Sequence, residues 1–226
     1  HLNSAMRYAA LGPGKRLRPF LAIEAGHLVH AEERGVLRAA CALECIHAYS
    51  LIHDDLPCMD DDDMRRGRPT VHKAYDEAAA VLAGDGLQSV AFEILAHPDT
   101  HQRGSVRARL VERLARASGP YGMVGGQMID IYAEQKDFDL AGVTQLQRLK
   151  TGALISCSVE LGALCNPQVT ASQLEALKSY AANIGLAFQI QDDILDETGD
   201  TQTLGKPQGS DKASHKPTFV SLLGID

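Results

Sequence analysis

The sequence predicts an all-α protein, a bundle of long helices packed around a central cavity. Three observations carry this expectation. Apolar residues recur at helical spacing through several long segments. No stretch alternates with the period of two that a strand requires. Gly- and Pro-containing turns such as Gly12-Pro13-Gly14 and Ser118-Gly119-Pro120 punctuate those segments.

The first segment, Leu2 to Leu11, reads as helix and is ended by Gly12-Pro13-Gly14. Lys15-Arg16-Leu17-Arg18-Pro19 follows. Cations beside a flexible turn suit a diphosphate, with lysine as a point charge and arginine as a fork. Helix-end chemistry explains the same residues equally well. Phe20 to His30 is helical, and Ala31 to Gly35 is a polar connection.

Val36 to His53 is a strong helix, with Val36, Leu37, Ala40, Cys41, Leu43, Ile46, Leu51 and Ile52 expected to carry its apolar surface. It runs into Asp54-Asp55-Leu56-Pro57-Cys58-Met59-Asp60-Asp61-Asp62-Asp63, six aspartates in ten residues. Carboxylates here repel one another and sit where a helix end already carries negative charge. A hard cation such as Mg²⁺, which bridges carboxylates to substrate phosphates, gives them a use. A solvated acidic loop is the plain alternative. His47 lies two turns before Asp54 on one side of the helix. It fits either a structural hydrogen bond or a site above the acidic cluster.

Ala74 to Ala96 is helical, with Gly84-Asp85-Gly86 a weak point. Ser105 to Ala117 is another helix. Tyr121 to Glu134 is a third, and its Gly125-Gly126 pair predicts close packing or backbone approach to a ligand. Val143 to Leu164 is long, with Lys150-Thr151-Gly152 placed to bend it or simply a surface lysine beside a packing glycine. Thr170 to Asp196 is the last long helix, ending in Asp192-Asp193-Ile194-Leu195-Asp196. Asp192 and Asp196 share a face, where like charges destabilise a helix. Gly199 to Ser214 is a polar loop containing Gly205-Lys206, expected to close over substrate, and Pro217 to Leu223 opens a further helix.

Composition sets the outer limits. The 226 residues suffice for a single domain over 1–226, and 45% hydrophobic with 23% charged residues is an ordinary globular balance. A net charge of −7 argues against general nucleic-acid binding. No apolar run is seen to approach the roughly 20 residues that span a bilayer, and no secretory signal is visible. Five cysteines without a paired framework suit a reducing cytoplasm. Cys41 and Cys45 near His47 lack further ligands for a soft metal, so they are expected as buried small hydrophobes. Two acidic clusters with separate cations, Lys15, Arg18, Arg65, Arg66, Lys150 and Lys206, suggest Mg²⁺-dependent chemistry on an apolar diphosphate. No serine triad, phosphate loop or dinucleotide fingerprint offers a rival.

These residues together resemble the trans-isoprenyl diphosphate synthases. Asp54-Asp55 with Asp60, and Asp192-Asp193 with Asp196, look like that family's two aspartate-rich motifs. Gly14-Lys15-Arg16-Leu17-Arg18-Pro19, Gly125-Gly126-Gln127 with Asp130, Lys150-Thr151-Gly152 and Gly205-Lys206 match further motifs in the same order. The resemblance implies an isoprenoid-synthase-type bundle and a head-to-tail condensation. It implies Mg²⁺ on Asp54, Asp60 and Asp192, with Asp55 and Asp196 supporting and Asp61 to Asp63 partly engaged. Arg65, Lys150 and Lys206 would assist the allylic diphosphate. Gly14, Lys15, Arg18, His47 and Arg66 would hold isopentenyl diphosphate, and Thr151 and Gln189 would lie along the allylic cation.

Tyr49 and Ser50, just before the first motif, would form the floor under the growing chain. An aromatic there and the two extra residues in the motif look like the bacterial farnesyl diphosphate synthases, with a geranylgeranyl synthase as the alternative. A homodimer is implied too, as are helices beyond both ends of the chain. A terpene cyclase differs in its second motif, a calcium loop has alternating ligands and a central Gly that are missing here, and a non-catalytic modulating subunit generally loses an acidic motif.

Overall fold

The structure, a computed structural model, describes residues 1–133, 138–199 and 218–225. The expected lid segment and Lys206 lie outside the described residues. Among the described residues every regular element is a helix, apart from one two-stranded hairpin. It forms two compact units, residues 1–111 with 161–167 and residues 112–160 with 168–226.

In the first unit, α1 (Leu2–Ala10) ends at the Gly-Pro-Gly turn, and α2 (Leu17–Leu28) starts after Arg16, whose φ of 52° is left-handed. Pro19 is tolerated because it stands in the first helical turn, where no amide partner is lost. The central helix is α3 (Glu33–Asp54), packed on α5 (Glu77–Ala96). Helix α5 opens with the Asp76 side chain accepting from Ala79 N at 2.7 Å. Its small buried residues Ala80, Ala83 and Gly84 let α3 approach closely. A Cβ at Gly84 would lie 2.8 Å from Cε1 of His53, so this glycine makes room for an imidazole.

The buried set of α3 differs from the expected one. Leu37 is 45% exposed, Cys41 is exposed and Leu51 is half-buried, whereas Ala39, Ala42, Ala48 and Tyr49 face inward. Alanine blurs a hydrophobic stripe, so apolar spacing alone did not locate the inner face. Cys41 and Cys45 are therefore not a buried pair, and all five thiols are free. Helices α3 and α5, of 22 and 20 residues with mean hydropathy 1.3, are long and apolar enough to cross a membrane by that measure. The expectation that no apolar run approaches that length concerned unbroken runs: Glu44 in α3 and Asp85 in α5 interrupt them and lower the average, which the surrounding apolar residues still hold at 1.3. The two helices bury much of this surface against each other.

The hairpin between α3 and α5 was not foreseen. β1 (Met64–Arg65) pairs antiparallel with β2 (Arg68–Pro69). Arg66 and Gly67, with φ of 53° and 75°, form its turn, the conformation two-residue hairpins prefer. Two residues per strand are too few to show a period. The short α4 (Val71–Ala74) leads to α5. The segment 161–167 closes this unit: a Cβ at Gly162 would lie 2.8 Å from the Ala22 carbonyl carbon, and Asn166 Nδ2 donates to Val29 O at 2.6 Å.

Helix α6 (Gly104–Ser118) leads into the second unit, which contains α7 (Met123–Ala133) and α8 (Leu140–Gln147). A π-helical stretch, Arg148–Gly152, follows and continues into α9 (Ala153–Leu164). The expected interruption at Lys150-Thr151-Gly152 is thus a π-bulge. A Cβ at Gly126 of α7 would lie 2.6 Å from Lys150 Cα, so this glycine permits helix-to-bulge packing. Helix α10 (Ala171–Thr198) begins with a Thr170–Gln173 capping box, and α11 (Phe219–Leu223) with a Thr218–Ser221 one.

Candidate functional site

The first unit carries a cationic cradle built on the α1–α2 turn. Arg66, at the hairpin turn, donates from Nη1 to Pro13 O at 2.8 Å and lies 3.2 Å through Nη2 from His47 Nε2. A Cβ on Gly14 would lie 2.9 Å from Cζ of Arg66, so the guanidinium occupies space that only glycine leaves. A guanidinium can only donate, so His47 accepts through Nε2 and carries its proton on Nδ1. Burial, then the charges of Arg18, Arg66, Arg65 and Arg16, push the His47 imidazole well below its usual range. The neutral ring can therefore accept from Arg66. Gly14, Arg18, His47 and Arg66 come together as the sequence suggested, with Lys15 on the same turn.

The acidic motif begins as α3 ends. The Asp60 amide donates to Asp54 O at 2.8 Å, which folds Asp60 back over Asp54. Asp61, with φ of 51°, makes the turn that allows this. Asp55 is 3% exposed and takes both Nε, at 2.8 Å, and Nη2 of Arg65. Burial raises its carboxyl above the usual range, against the opposing pull of Arg65. Arg65 also reaches Asp62 at 3.1 Å, and Lys73 pairs with Asp63 at 2.8 Å. Of the four aspartates that follow Met59, two thus answer local cations. Arg16, Asp61 and Arg66 are three of the four described non-glycine residues with positive φ, and all three flank this site. Such strain collects where geometry is fixed for a purpose.

Below the motif, Tyr49 is 5% exposed and stacks edge-on to His53, with ring centroids 5.8 Å apart. Its hydroxyl lies beside Gln88 without a hydrogen bond of full geometry. The Ser50 hydroxyl donates to His47 O within the helix at 3.0 Å.

The second unit holds the other motifs. Lys150 Nζ pairs with Asp130 Oδ2. Thr151 Oγ1 donates to Gln189 Oε1 at 3.1 Å, and Gln189 Nε2 donates to Asp193 Oδ1 at 2.9 Å. Asp193 also accepts from the Phe219 amide at 2.8 Å. Asp192 is exposed, while Asp193 and Asp196 are 2% and 3% exposed. Asp193 therefore holds Gln189, one turn earlier on α10, and fastens the start of α11 to α10 rather than facing solvent. Sequence reasoning gave no role to Asp193 or Asp130. Nor did it give one to Glu44, whose signal was a carboxylate in the middle of α3, and it grouped Arg16 with Lys15 and Arg18 as a cation for a diphosphate, whereas Arg16 pairs with Glu44.

Among the described residues, no three His, Cys, Asp or Glu side chains converge on one point. Mg²⁺ is commonly held by one or two carboxylates together with substrate phosphates, and the carboxylates of Asp54 and Asp60 in the first unit, and of Asp192 in the second, are each donors of the kind that ion takes.

The polyprenyl synthetase family model matches residues 1–226. The chain belongs to this family. Polyprenyl synthetases are prenyltransferases, as the motifs implied. The farnesyl diphosphate synthase of Escherichia coli (strain K12) is 51% identical over 222 residues, 98% of this chain and 74% of that protein. An FPP/GFPP synthase from Zymomonas mobilis has a TM-score of 0.89 at 51% identity, over all of this chain and 75% of that one. A Helicobacter pylori geranyltransferase complexed with magnesium and isoprenyl diphosphate has a TM-score of 0.90 at 36% identity, over all of this chain and 75% of that one. The all-α, isoprenoid-synthase-type expectation is borne out.

Proposed function

We propose that this polyprenyl synthetase condenses isopentenyl diphosphate head-to-tail with dimethylallyl and then geranyl diphosphate, giving farnesyl diphosphate. The observation that carries the reading is the cradle of Gly14, Lys15, Arg18, His47 and Arg66. The Arg66 guanidinium in it is oriented by a backbone and an imidazole acceptor before any anion arrives. In this reading the cradle holds isopentenyl diphosphate. Arg65, Lys150 and Lys206 hold the allylic diphosphate, as cations matched to phosphate oxygens.

Mg²⁺ on Asp54, Asp60 and Asp192 would neutralise the departing diphosphate, the charge that develops as the allylic carbon–oxygen bond breaks. Asp55 keeps Arg65 oriented, and Asp196 supports the second motif. The Thr151 and Gln189 oxygens are fixed dipoles of the kind that stabilise the allylic cation. The double bond of isopentenyl diphosphate attacks that cation, and the departing diphosphate removes the proton. Tyr49 and Ser50 form the floor that stops elongation. The identity of about half to a farnesyl diphosphate synthase supports this product. A homodimer in a reducing cytoplasm completes the reading, and the five free thiols suit that compartment.

The test is incubation with Mg²⁺, isopentenyl diphosphate and dimethylallyl diphosphate, followed by sizing of the dephosphorylated alcohols. Farnesol is expected. A longer alcohol keeps the chemistry and overturns the floor. Absence of any condensation by folded protein shifts the reading to a modulating subunit.

A further inference from the structure

One ion pair beneath the cradle is unexplained by substrate binding. Arg16 belongs to the same cationic segment as Lys15 and Arg18. From a left-handed backbone its side chain turns back, donating to Ala10 O at 3.1 Å, to Gly12 O, and to Glu44 Oε1. Glu44 is a carboxylate in the middle of α3, with a side chain only 14% exposed. Its second oxygen, Oε2, is buried with no hydrogen-bond partner among the described residues. Glu44 lines a cavity of about 60 Å³ together with Gly12, Pro13 and Arg66. It stands one helical turn before His47. Its charge also acts on Arg66, opposing the effects of burial and of Arg16 and Arg65.

We propose that Arg16 and Glu44 are positioning residues that pin the Gly12–Arg18 turn to α3 and so hold the diphosphate cradle in shape. Three tethers then meet on this turn: Arg16 to Glu44, Arg16 to the Ala10 and Gly12 carbonyls, and Arg66 to Pro13 O. Arg16 takes no part in contacting the anion; it fixes the backbone from which Lys15 and Arg18 extend. The inference rests on the assignment of this cradle to isopentenyl diphosphate.

The sign of one substitution separates positioning from plain electrostatics. Glu44→Gln removes a negative charge near an anion site, which by charge alone strengthens diphosphate binding. Loss of positioning weakens it. Steady-state kinetics should therefore show KM for isopentenyl diphosphate rising about tenfold in Glu44→Gln and in Arg16→Met. KM for the allylic diphosphate should hold within about twofold, and the double variant should be no worse than either single one. Far-UV circular dichroism and Tm confirm folding; Glu44→Gln is isosteric and keeps the buried volume.

An unchanged or lowered KM for isopentenyl diphosphate in Glu44→Gln overturns the proposal, as does a double variant whose defect is the product of the singles. Lys15→Ala is the control for the underlying reading. If it leaves that KM unchanged, the cradle itself is wrongly assigned and the positioning role falls with it. If it raises KM while both pair variants behave as wild type, only the positioning role falls.

Discussion

The Arg66 guanidinium occupies the volume that a side chain at Gly14 would need, with Cζ 2.9 Å from where the first carbon would sit. Two residues 52 positions apart in sequence are thus a single feature of the cradle. Gly14→Ala should displace Arg66 from Pro13 O and His47 and raise KM for isopentenyl diphosphate about tenfold. Initial-rate kinetics with each diphosphate varied in turn check this, and an unchanged KM would contradict the role of this contact.

Asp193 accepts from Gln189 and from the Phe219 amide while almost fully buried. Asp193→Ala should cost about 2 kcal/mol by stranding the Phe219 amide. It should also lower kcat, because Gln189 loses the partner that orients it toward Thr151. Urea denaturation and single-turnover rates measure the two effects. A stability loss with intact turnover would separate the network from catalysis.

Gly126 lies against the backbone of the π-bulge. Gly126→Ala should destabilise the protein by about 1–3 kcal/mol through overpacking, lowering Tm by several degrees. The extra methyl also displaces Lys150 relative to Asp130, so KM for the allylic diphosphate should rise. Differential scanning calorimetry and kinetics check the pair of outcomes.

His47 is held neutral by burial and by the arginines around it, well below its usual 6.5. The unfolded chain therefore takes up this proton first as pH falls. Stability supplied by the neutral ring is complete above pH 6.5 and is lost progressively from there towards the folded-state value. His47→Asn should flatten the stability profile below pH 6.5 relative to wild type. Parallel profiles in urea titrations would show that this histidine does not contribute.

Tyr49 packs edge-on to His53 beneath the first acidic motif. Tyr49→Ala should open that space and shift the product from farnesol to a longer alcohol, at a stability cost of about 3 kcal/mol. An unchanged product from folded variant would remove Tyr49 from the floor.

Helix content was legible because it depends on local spacing and on punctuating Gly and Pro. The same held for the paired acidic motifs and the cations of the Lys15–Arg18 turn, since charges placed against helix preference stand out in a string of letters. The sequence by itself therefore determined the family, the all-α class and most of the residues of interest. Which of them point outward was decided by tertiary structure. Asp193 and Asp192 are chemically alike and adjacent, yet one is buried in a hydrogen-bond network and the other is exposed. Arg16 and Arg18 differ likewise, one turned back to Glu44 and the other beside His47. The hairpin at Arg66-Gly67 was invisible because two-residue strands have no period. Side-chain direction and pairing depend on what distant segments bring to the same place, and a linear pattern does not encode those distances.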